Sequence, residues 1–336
     1  MPSDDSKGYT RWCTRGAWVI IPTYILLGQS QWMSSLIVLT WWSTFPALSV
    51  FSLVWHSLLV FMSLWSHWMS LFTDPGRVPI LKDDQIKEDA LRFGFTECAK
   101  CQSIRPRRAH HCKVCRRCIL HMDHHCPWIG NCVGLFNQKF FIQYNAYIMI
   151  LGVTDIVLST AVVCDMYRLY MQNVDIFTTN YGIPFILFMV LFYVLAILFT
   201  LFTFTLLVDQ LRCIYRNVSA IDEFKGIKPH RKPFKQSLTA VFGCPPSLKW
   251  WVLFHCAYMR LRLLPLRMRP RFLSDPLTAA DLVALSVFDE GSSLMTDHNH
   301  ELQGITGVAG VNVAHRRCSL IKCISRGEVA DRTDNV

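Results

Sequence analysis

Charged side chains are nearly absent from four long segments of this sequence. Residues 17–42, 47–72, 140–164 and 183–208 contain no Asp, Glu, Lys or Arg apart from Asp155. A helix needs about 20 mainly apolar residues to cross a hydrocarbon core of about 30 Å, and each segment is long enough. The 11 tryptophans, many of them near segment ends, are typical of a membrane interface and weigh against a soluble protein with four buried helices. The sequence therefore predicts an α-helical integral membrane protein with four transmembrane helices.

The sequence also predicts no cleavable secretory signal, because the first apolar stretch is too long for one and a second stretch follows at once. The first stretch is the weakest of the four, since Gly28-Gln-Ser-Gln31 interrupts it. Asp155 is expected to face the protein interior and to pair with a polar group, because an isolated carboxylate in a bilayer is costly.

Basic residues are unevenly distributed, and their distribution predicts the orientation. Twelve Lys and Arg lie between residues 73 and 139, whereas residues 43–46 contain none and residues 165–182 contain only Arg168. The positive-inside rule then places both termini and the segment between helices two and three in the cytosol. The net charge of +10 fits attraction to anionic lipid headgroups better than binding to nucleic acid.

Seven of the fourteen cysteines and five histidines lie in one window, Cys98 to Cys132. Without a secretory signature, and with Lys and Arg interleaved, a reduced metal site is favoured over a disulfide cluster. Cysteines spaced as C-x-x-C are typical of tetrahedral Zn²⁺ sites, and the window offers twelve candidate ligands where two zinc ions need eight. The candidate ligands that zinc does not need are available for catalysis.

The window resembles a known family. From Cys98 to Gly134 it reads Cys-x2-Cys-x3-Arg-Pro-x-Arg-x2-His-Cys-x2-Cys-x2-Cys-x4-Asp-His-His-Cys-Pro-Trp-x2-Asn-Cys-Val-Gly. This run closely resembles the cysteine-rich domain of the DHHC protein S-acyltransferases, or palmitoyltransferases. Four spans with this domain between the second and third, and Asp74-Pro-Gly76 after the second, fit the same family. Ala240-Val-Phe-Gly243 and the general layout look most like its Golgi-associated branch.

The resemblance implies the roles of the cysteine-rich residues. It assigns Cys98, Cys101, His111 and Cys118 to one structural zinc ion, and Cys112, Cys115, His125 and Cys132 to the other. It assigns catalysis to a nucleophile, Cys126, with His124 as its base and Asp123 orienting the imidazole. Cys126 would take a palmitoyl group from palmitoyl-CoA and pass it to a cysteine thiol of a substrate protein, a thioester exchange that needs no other energy source. A spare zinc ligand is the alternative role of Cys126.

Two further sets of contacts are expected from the resemblance. Arg105, Arg107 and Arg108 lie beside the catalytic motif, where they could bind the phosphates of CoA bidentately or form a solvated basic face. Leu151 lies roughly 16 Å along the third helix from Phe140 and is expected to limit acyl-chain length, or else to face lipid. Gly152 is expected to face elsewhere and to allow close helix packing.

One departure from the family concerns the segment after the fourth helix. The family usually has Thr-Thr-x-Glu there, whereas this chain has Ser219-Ala-Ile-Asp222, so we expect weaker contacts to the catalytic domain. A few residues before the Val-Phe-Gly of the Ala240 to Gly243 motif, Ser237 stands where the family has asparagine.

The sequence divides into six regions with different expected roles. These are a cytosolic tail (1–16), helices one and two (17–72), the cytosolic zinc domain (73–139), helices three and four (140–211), a cytosolic C-terminal region (212–273) and a flexible tail (274–336). Expected partners are acyl-CoA, membrane lipids and proteins with membrane-proximal cysteines, in an endomembrane: the Golgi first, with the endoplasmic reticulum or plasma membrane as alternatives. A catalytically silent zinc scaffold is the competing function; a nucleic-acid binder is disfavoured by the absence of recognition-helix spacing.

Overall fold

Four long helices and three short hairpins make up most of the structure. The computed structural model describes residues 18–41, 46–78, 80, 87, 91, 95–174, 182–227 and 232–242. The predicted N-terminal tail lies outside the described residues. So do the end of the Ala240 to Gly243 motif and everything C-terminal to it, including the tail that was predicted to be flexible.

The long helices correspond to the four apolar segments. They are α1 (Ile20–Trp41), α2 (Pro46–Phe72), α3 (Gln138–Met171) and α4 (Ile183–Arg216). By length and composition, α2, α3 and α4 can cross a membrane. Within the described part of the chain, α1 does not meet that criterion, because Gln29, Ser30 and Gln31 lower its hydropathy. Three of the four predicted spanning helices, α2, α3 and α4, are therefore supported, and the span predicted for α1 is not confirmed.

The helices α3 and α4 extend beyond their uncharged segments. Each has 34 residues, which corresponds to about 51 Å and exceeds the hydrocarbon core of about 30 Å. Gly182 and Pro184 mark the start of α4, and Asn217 ends it in the left-handed conformation, with φ of 52°. The ends of these helices therefore carry polar residues out to the cysteine-rich domain.

Close packing between α3 and α4 depends on Gly152. A Cβ atom at this position would collide with Oγ1 of Thr200 and lie 3.5 Å from the backbone oxygen of Ala196. The prediction that Gly152 allows close helix packing is confirmed. Elsewhere in the bundle, α1, α3 and α4 share an apolar cluster of buried side chains from Met33, Ile37, Val38, Leu158, Val162, Met189 and Phe192.

The cysteine-rich domain consists of three antiparallel hairpins. They pair β1 (Thr96–Cys98) with β2 (Ser103–Arg105), β3 (Ala109–Cys112) with β4 (Arg117–Leu120), and β5 (His124–Cys126) with β6 (Asn131–Val133). A two-stranded hairpin alone is at best marginally stable, so strands of three or four residues need another source of stability. Metal binding can provide it.

Two asparagines attach this domain to the end of α2. The amide nitrogen of Asn131 donates to the carbonyl oxygens of Ser70, Leu71 and Thr73 at 3.1–3.2 Å. The amide nitrogen of Asn137 donates to Ser70 and Cys132, while its oxygen accepts from the backbone of Gly134. These bonds satisfy carbonyls that the helix end leaves without partners and fix the domain against the bundle.

Two short helices follow α4. The first is α5 (Ala220–Phe224) and the second is α6 (Phe234–Phe242). Ser219 caps α5: its hydroxyl accepts from the backbone of Asp222, whose carboxylate accepts from the backbone of Ser219. Phe242 of α6 packs with Ile142 of α3 and Ile214 of α4.

Candidate active site and metal centres

The structure brings the eight predicted zinc ligands together in two groups of four. Within each group the ligand atoms all lie within 4.8 Å of one another. The first group is Cys98, Cys101, His111 and Cys118, and the second is Cys112, Cys115, His125 and Cys132. Each group takes two ligands from a C-x-x-C turn and two from later strands, so a metal would join neighbouring hairpins.

The donor sets and their spacing fit Zn²⁺. Zinc bonds of about 2.3 Å to sulfur at tetrahedral angles place two thiolates roughly 3.8 Å apart. The sulfur atoms of Cys101 and Cys118 are 3.7 Å apart, and those of Cys115 and Cys132 are 3.5 Å apart. Nδ1 of His111 lies 3.2 Å from the sulfur of Cys101, and Nδ1 of His125 lies 3.4 Å from that of Cys115. Four protein ligands fill a tetrahedral site and leave no position for substrate.

Strand alternation separates the ligands from their neighbours. Successive side chains of a strand point to opposite faces, so in β5 His124 and Cys126 share one face and His125 lies on the other. His125 reaches the second metal group, whereas His124 and Cys126 both pack near Phe141 of α3. In β3 the same alternation sends His111 to the first metal group and its neighbour His110 to Asp222.

Asp123 and His124 form a hydrogen-bonded pair. Oδ2 of Asp123 lies 2.8 Å from Nδ1 of His124. Burial raises the pKa of Asp123, but the bonds from His124, the backbone of Ala220 and the amide of Gln210 outweigh burial and hold this pKa below its usual value. Burial lowers the pKa of His124. The interactions with Asp123 and Cys126 have a larger effect in the opposite direction, so this pKa is raised to about 9. The three residues are therefore electrostatically coupled.

Cys126 lies at one end of an elongated cavity between the helices. The thiol side chain is buried, packed with Ile129, Val133, Phe141 and Tyr144. The cavity is partly open, and its lining on α3 extends from Phe141 to Asp155. The 14 helical steps between these two residues correspond to about 21 Å. An apolar channel of that length, starting at a thiol, can hold a long alkyl chain.

Leu151 lines this cavity and is 3% exposed. The alternative that Leu151 faces lipid is therefore wrong, and its proposed limit on chain length stays a prediction. Gly152 lines the cavity as well, so the expectation that it faces elsewhere is wrong. Gly152 reaches both the cavity and α4 because the two lie on adjoining sides of α3.

Arg108 does not occupy the place predicted for it. The side chain is buried, and its Nε donates to Oδ2 of Asp222 at 2.9 Å while Nη2 donates to the carbonyl of Asn217 at 3.1 Å. A guanidinium held by a buried carboxylate is not available to phosphate, so the prediction that Arg108 binds CoA is wrong. Arg107 is exposed and Arg105 is half-buried, with its Nε near Thr96, so both remain candidates.

The Ser219 to Asp222 segment makes buried contacts with the cysteine-rich domain, and the expectation that they are weaker than those of the family stays a prediction. Asp222 is fully buried and bonds to Arg108 and to Nε2 of His110, at 2.6 Å. Burial raises the pKa of Asp222. The hydrogen bond from His110 and the charge of Arg108 have a larger effect in the opposite direction, so this pKa lies below its usual value. The backbone nitrogen of Ala220 donates to Oδ1 of Asp123 at 3.0 Å. The short helix α5 therefore holds Asp123 directly.

Several residues that position the site were not singled out from the sequence. Nε2 of Gln210 donates to Oδ2 of Asp123 at 2.7 Å, and Nε2 of His67 lies 3.0 Å from the carbonyl oxygen of Trp128. Nδ1 of His67 lies 3.1 Å from the hydroxyl of Tyr24. The sequence feature that could have identified Gln210 and His67 is a polar side chain near the end of an apolar helix. Burying such a side chain costs free energy unless it has a hydrogen-bond partner.

Comparisons with known proteins agree with this site. A family model described as DHHC palmitoyltransferase matches residues 93–227. The palmitoyltransferase ZDHHC7 of Mus musculus is 35% identical over 229 residues, which cover 66% of this chain and 72% of that protein. The palmitoyltransferase ZDHHC3 of Homo sapiens is 34% identical, covering 60% and 69%. Probable protein S-acyltransferase 12 of Arabidopsis thaliana is 37% identical, covering 42% and 55%.

The opposite orientations of His124 and His125 predict different effects of substitution. His125→Ala should reduce bound zinc from about two to about one per chain and lower stability, because it removes a metal ligand. His124→Ala should keep both zinc ions. Metal analysis of the purified membrane protein measures the difference, and equal zinc contents in the two variants would contradict the assignment.

The burial of Asp222 predicts a large loss of stability on its removal. Asp222→Ala should destabilise the domain by about 3–5 kcal/mol, because Arg108 is left buried without its carboxylate. The matched control is Glu223→Ala, whose exposed ion pair with Arg216 is worth at most about 1 kcal/mol. Thermal unfolding in detergent compares the two; similar midpoints would show that Asp222 does not hold α5 in place.

Proposed function

Because this chain belongs to the DHHC palmitoyltransferase family, we propose that it catalyses protein S-palmitoylation through an acyl-enzyme thioester on Cys126. It is a protein-cysteine S-acyltransferase, as the named relatives are. The observation that carries the proposed mechanism is the position of Cys126: its thiol is coupled to His124 on one side and lines the apolar cavity on the other.

The reaction consists of two thioester exchanges at Cys126. In the first, His124 takes the thiol proton, the sulfur attacks the thioester carbonyl of palmitoyl-CoA, and the carbon–sulfur bond to CoA breaks. His124 returns the proton to the departing CoA thiolate. In the second, His124 takes the proton of a substrate cysteine, whose thiolate attacks the acyl-enzyme. The bond from the acyl carbon to the sulfur of Cys126 breaks, and the Cys126 thiolate takes the proton back from His124. One thioester is broken and one is formed in each step, so no further reactant is needed.

Asp123 and its donors orient the base. The carboxylate accepts bonds from Gln210 and from the backbone of Ala220 and keeps Nδ1 of His124 occupied at 2.8 Å. The other ring nitrogen is then left for the sulfur of Cys126. The thiolate is the nucleophilic form of a cysteine, so an imidazole that can accept the thiol proton favours attack on the thioester.

Two structural Zn²⁺ ions belong to this proposal. The eight ligands would hold the three hairpins together and fix the backbone of His125, the residue next to Cys126. The ions supply folding energy and no step of the reaction.

The membrane placement is proposed on the sequence together with three apolar helices. Both termini and the zinc domain face the cytosol, α1 joins α2, α3 and α4 as a fourth span, and the Golgi is the proposed location. Arg105 and Arg107 are proposed to bind the phosphates of CoA. Substrates are proteins with cysteines near the membrane surface, and no nucleic acid is involved. A silent zinc scaffold gains no support, since Asp123, His124 and Cys126 are all present and coupled.

Replacement of the nucleophile tests the proposal. Cys126→Ser should abolish both self-acylation and transfer, because only a thiol can form the thioester acyl-enzyme, which neutral hydroxylamine cleaves. Zinc content should stay at about two per chain. Labelling with an alkyne palmitoyl-CoA, with and without hydroxylamine, measures the acylation. The matched control is Cys164→Ser, an exposed thiol on α3, which should label like the wild type. Hydroxylamine-sensitive label remaining on Cys126→Ser would rule the assignment out.

The position of Leu151 predicts a change in acyl-chain preference. Leu151→Ala should shift the preference from palmitoyl-CoA towards stearoyl-CoA, and Leu151→Phe towards myristoyl-CoA, because the side chain narrows the cavity. Total acylation should change less than the ratio. Competition labelling with the three donors gives the ratio, and an unchanged ratio in both variants would mean that Leu151 does not limit the chain.

A further inference from the structure

A tyrosine hydroxyl without a hydrogen-bond partner lies near the nucleophile. Tyr144 of α3 is 9% exposed, belongs to the same packed cluster as Cys126 and lines the same cavity. Its oxygen and the sulfur of Cys126 are close enough to interact electrostatically. Within the part of the chain that the structure describes, the hydroxyl makes no hydrogen bond. A buried hydroxyl without a partner costs free energy, so an acceptor on a bound ligand would stabilise it.

The helix α3 presents two aromatic rings to the catalytic residues. Phe141 and Tyr144 are three residues apart and therefore lie on one face of the helix. The ring of Phe141 packs edge to face with that of His124, with centroids 5.3 Å apart. Tyr144, one turn further along, packs in the cluster that contains Cys126. The same face thus places an apolar ring against the base and a phenol near the nucleophile.

His67 of α2 supports the phenol without bonding to its hydroxyl. The rings of His67 and Tyr144 pack edge to face with centroids 5.1 Å apart. Both nitrogens of His67 have other partners: Nε2 lies 3.0 Å from the carbonyl oxygen of Trp128, and Nδ1 lies 3.1 Å from the hydroxyl of Tyr24. Because Trp128 is two residues after Cys126, His67 holds the phenol and the backbone next to the nucleophile together.

Other hydrogen-bond donors of the cavity are already in use. The side chains of Thr23, Asn145 and Thr203 line the cavity and donate to backbone carbonyl oxygens one helical turn away. In many acyl-transfer enzymes the backbone N–H of the residue after the nucleophile stabilises the oxyanion. That residue is Pro127 here, and proline has no backbone N–H. The hydroxyl of Tyr144 is therefore well suited to this task.

We propose that Tyr144 is a catalytic residue that donates a hydrogen bond to the carbonyl oxygen of the acyl group, an inference that rests on the proposed function. When the sulfur of Cys126 attacks the thioester carbonyl, the π electrons of that carbonyl move to its oxygen, which becomes an oxyanion. The phenol donates to the oxyanion and keeps its own proton. Collapse of the intermediate restores the carbonyl and expels the CoA thiolate, which takes a proton from His124. A positioned donor in an apolar cavity stabilises this charge more than water would.

Two other roles of Tyr144 would give different kinetics. A phenol that donates to the thiolate of Cys126 would alter every reaction of that sulfur, including alkylation. A phenol that only fills space could be replaced by phenylalanine without loss of activity. Alkylation by iodoacetamide passes through no oxyanion, so a comparison of alkylation with acylation separates the three roles.

The test is Tyr144→Phe in the full chain, which removes one oxygen atom and keeps the ring. We expect the saturated rate of acyl-enzyme formation to fall about 100-fold, because one donor to an oxyanion is worth about that much. The rate of transfer to a substrate cysteine should fall similarly, since it passes through the same oxyanion. The palmitoyl-CoA concentration that gives half the saturated rate should stay within about twofold, because the hydrogen bond is made mainly in the transition state. Rapid-quench measurements with palmitoyl-CoA give both values.

Two controls make the result specific. Alkylation of Cys126 by iodoacetamide, followed by mass spectrometry, should stay within about twofold of the wild-type rate in Tyr144→Phe, because the thiolate itself is unchanged. The matched variant is Tyr147→Phe, which removes the hydroxyl of another buried tyrosine of α3 that is not part of the cavity lining. It should acylate at the wild-type rate. Two zinc ions per chain in each variant would show that the cysteine-rich domain is folded.

A second substitution changes the donor without removing it. Replacement of Tyr144 by a ring-fluorinated tyrosine makes the phenol more acidic and a stronger hydrogen-bond donor, so the acylation rate should rise above that of the wild type. This measurement does not depend on the folding of Tyr144→Phe.

Three results would overturn the inference. They are an unchanged acylation rate in Tyr144→Phe, an alkylation rate that falls as far as the acylation rate, and a fluorinated protein no faster than the wild type. Wild-type protein that takes no hydroxylamine-sensitive acyl group at Cys126 would instead remove the proposed function, and this inference with it.

Discussion

The alternation of side chains along the three residues of β5 is the constraint on which the site depends. His125 lies on the face that meets the second metal group, so His124 and Cys126 necessarily lie on the other face, towards the helices. A metal bound to His125 would therefore fix the thiol of Cys126 through one intervening peptide unit. Loss of this metal group would disturb catalysis without any change in a catalytic side chain.

The helices and the cysteine-rich domain hold the site from both sides. Asn131 and Asn137 tie the domain to the end of α2, while α4 and α5 provide the hydrogen bonds that orient Asp123. Asp222 connects the same short helix to Arg108 and His110 of the domain. Because these hydrogen bonds are buried, water does not compete for their donors and acceptors. Removing one partner therefore leaves the other as a buried polar group without a hydrogen bond.

The polar residues of the bundle pair with one another. Ser30, Ser34 and His56 lower the hydropathy of their helices, and Asp155 alone interrupts the third uncharged segment. Asp155 was expected to face the interior and pair, and this prediction is confirmed. It lies one helical turn beyond Leu151 and lines the same cavity as Cys126.

The sequence by itself predicted the apolar helices and the paired cysteines of each metal group, because hydropathy and C-x-x-C spacing are local properties of the chain. The resemblance to the family implied the other two ligands of each group. The first spanning helix is not confirmed, and its Ser30 contacts Asp155 and His56. Only the tertiary structure decided which of three neighbouring arginines is buried, that Ser219 to Asp222 makes strong contacts, and that Gln210 holds Asp123. Those outcomes depend on residues about 90 to 115 positions apart meeting in space, and burial and pairing at that separation leave no local pattern in the chain.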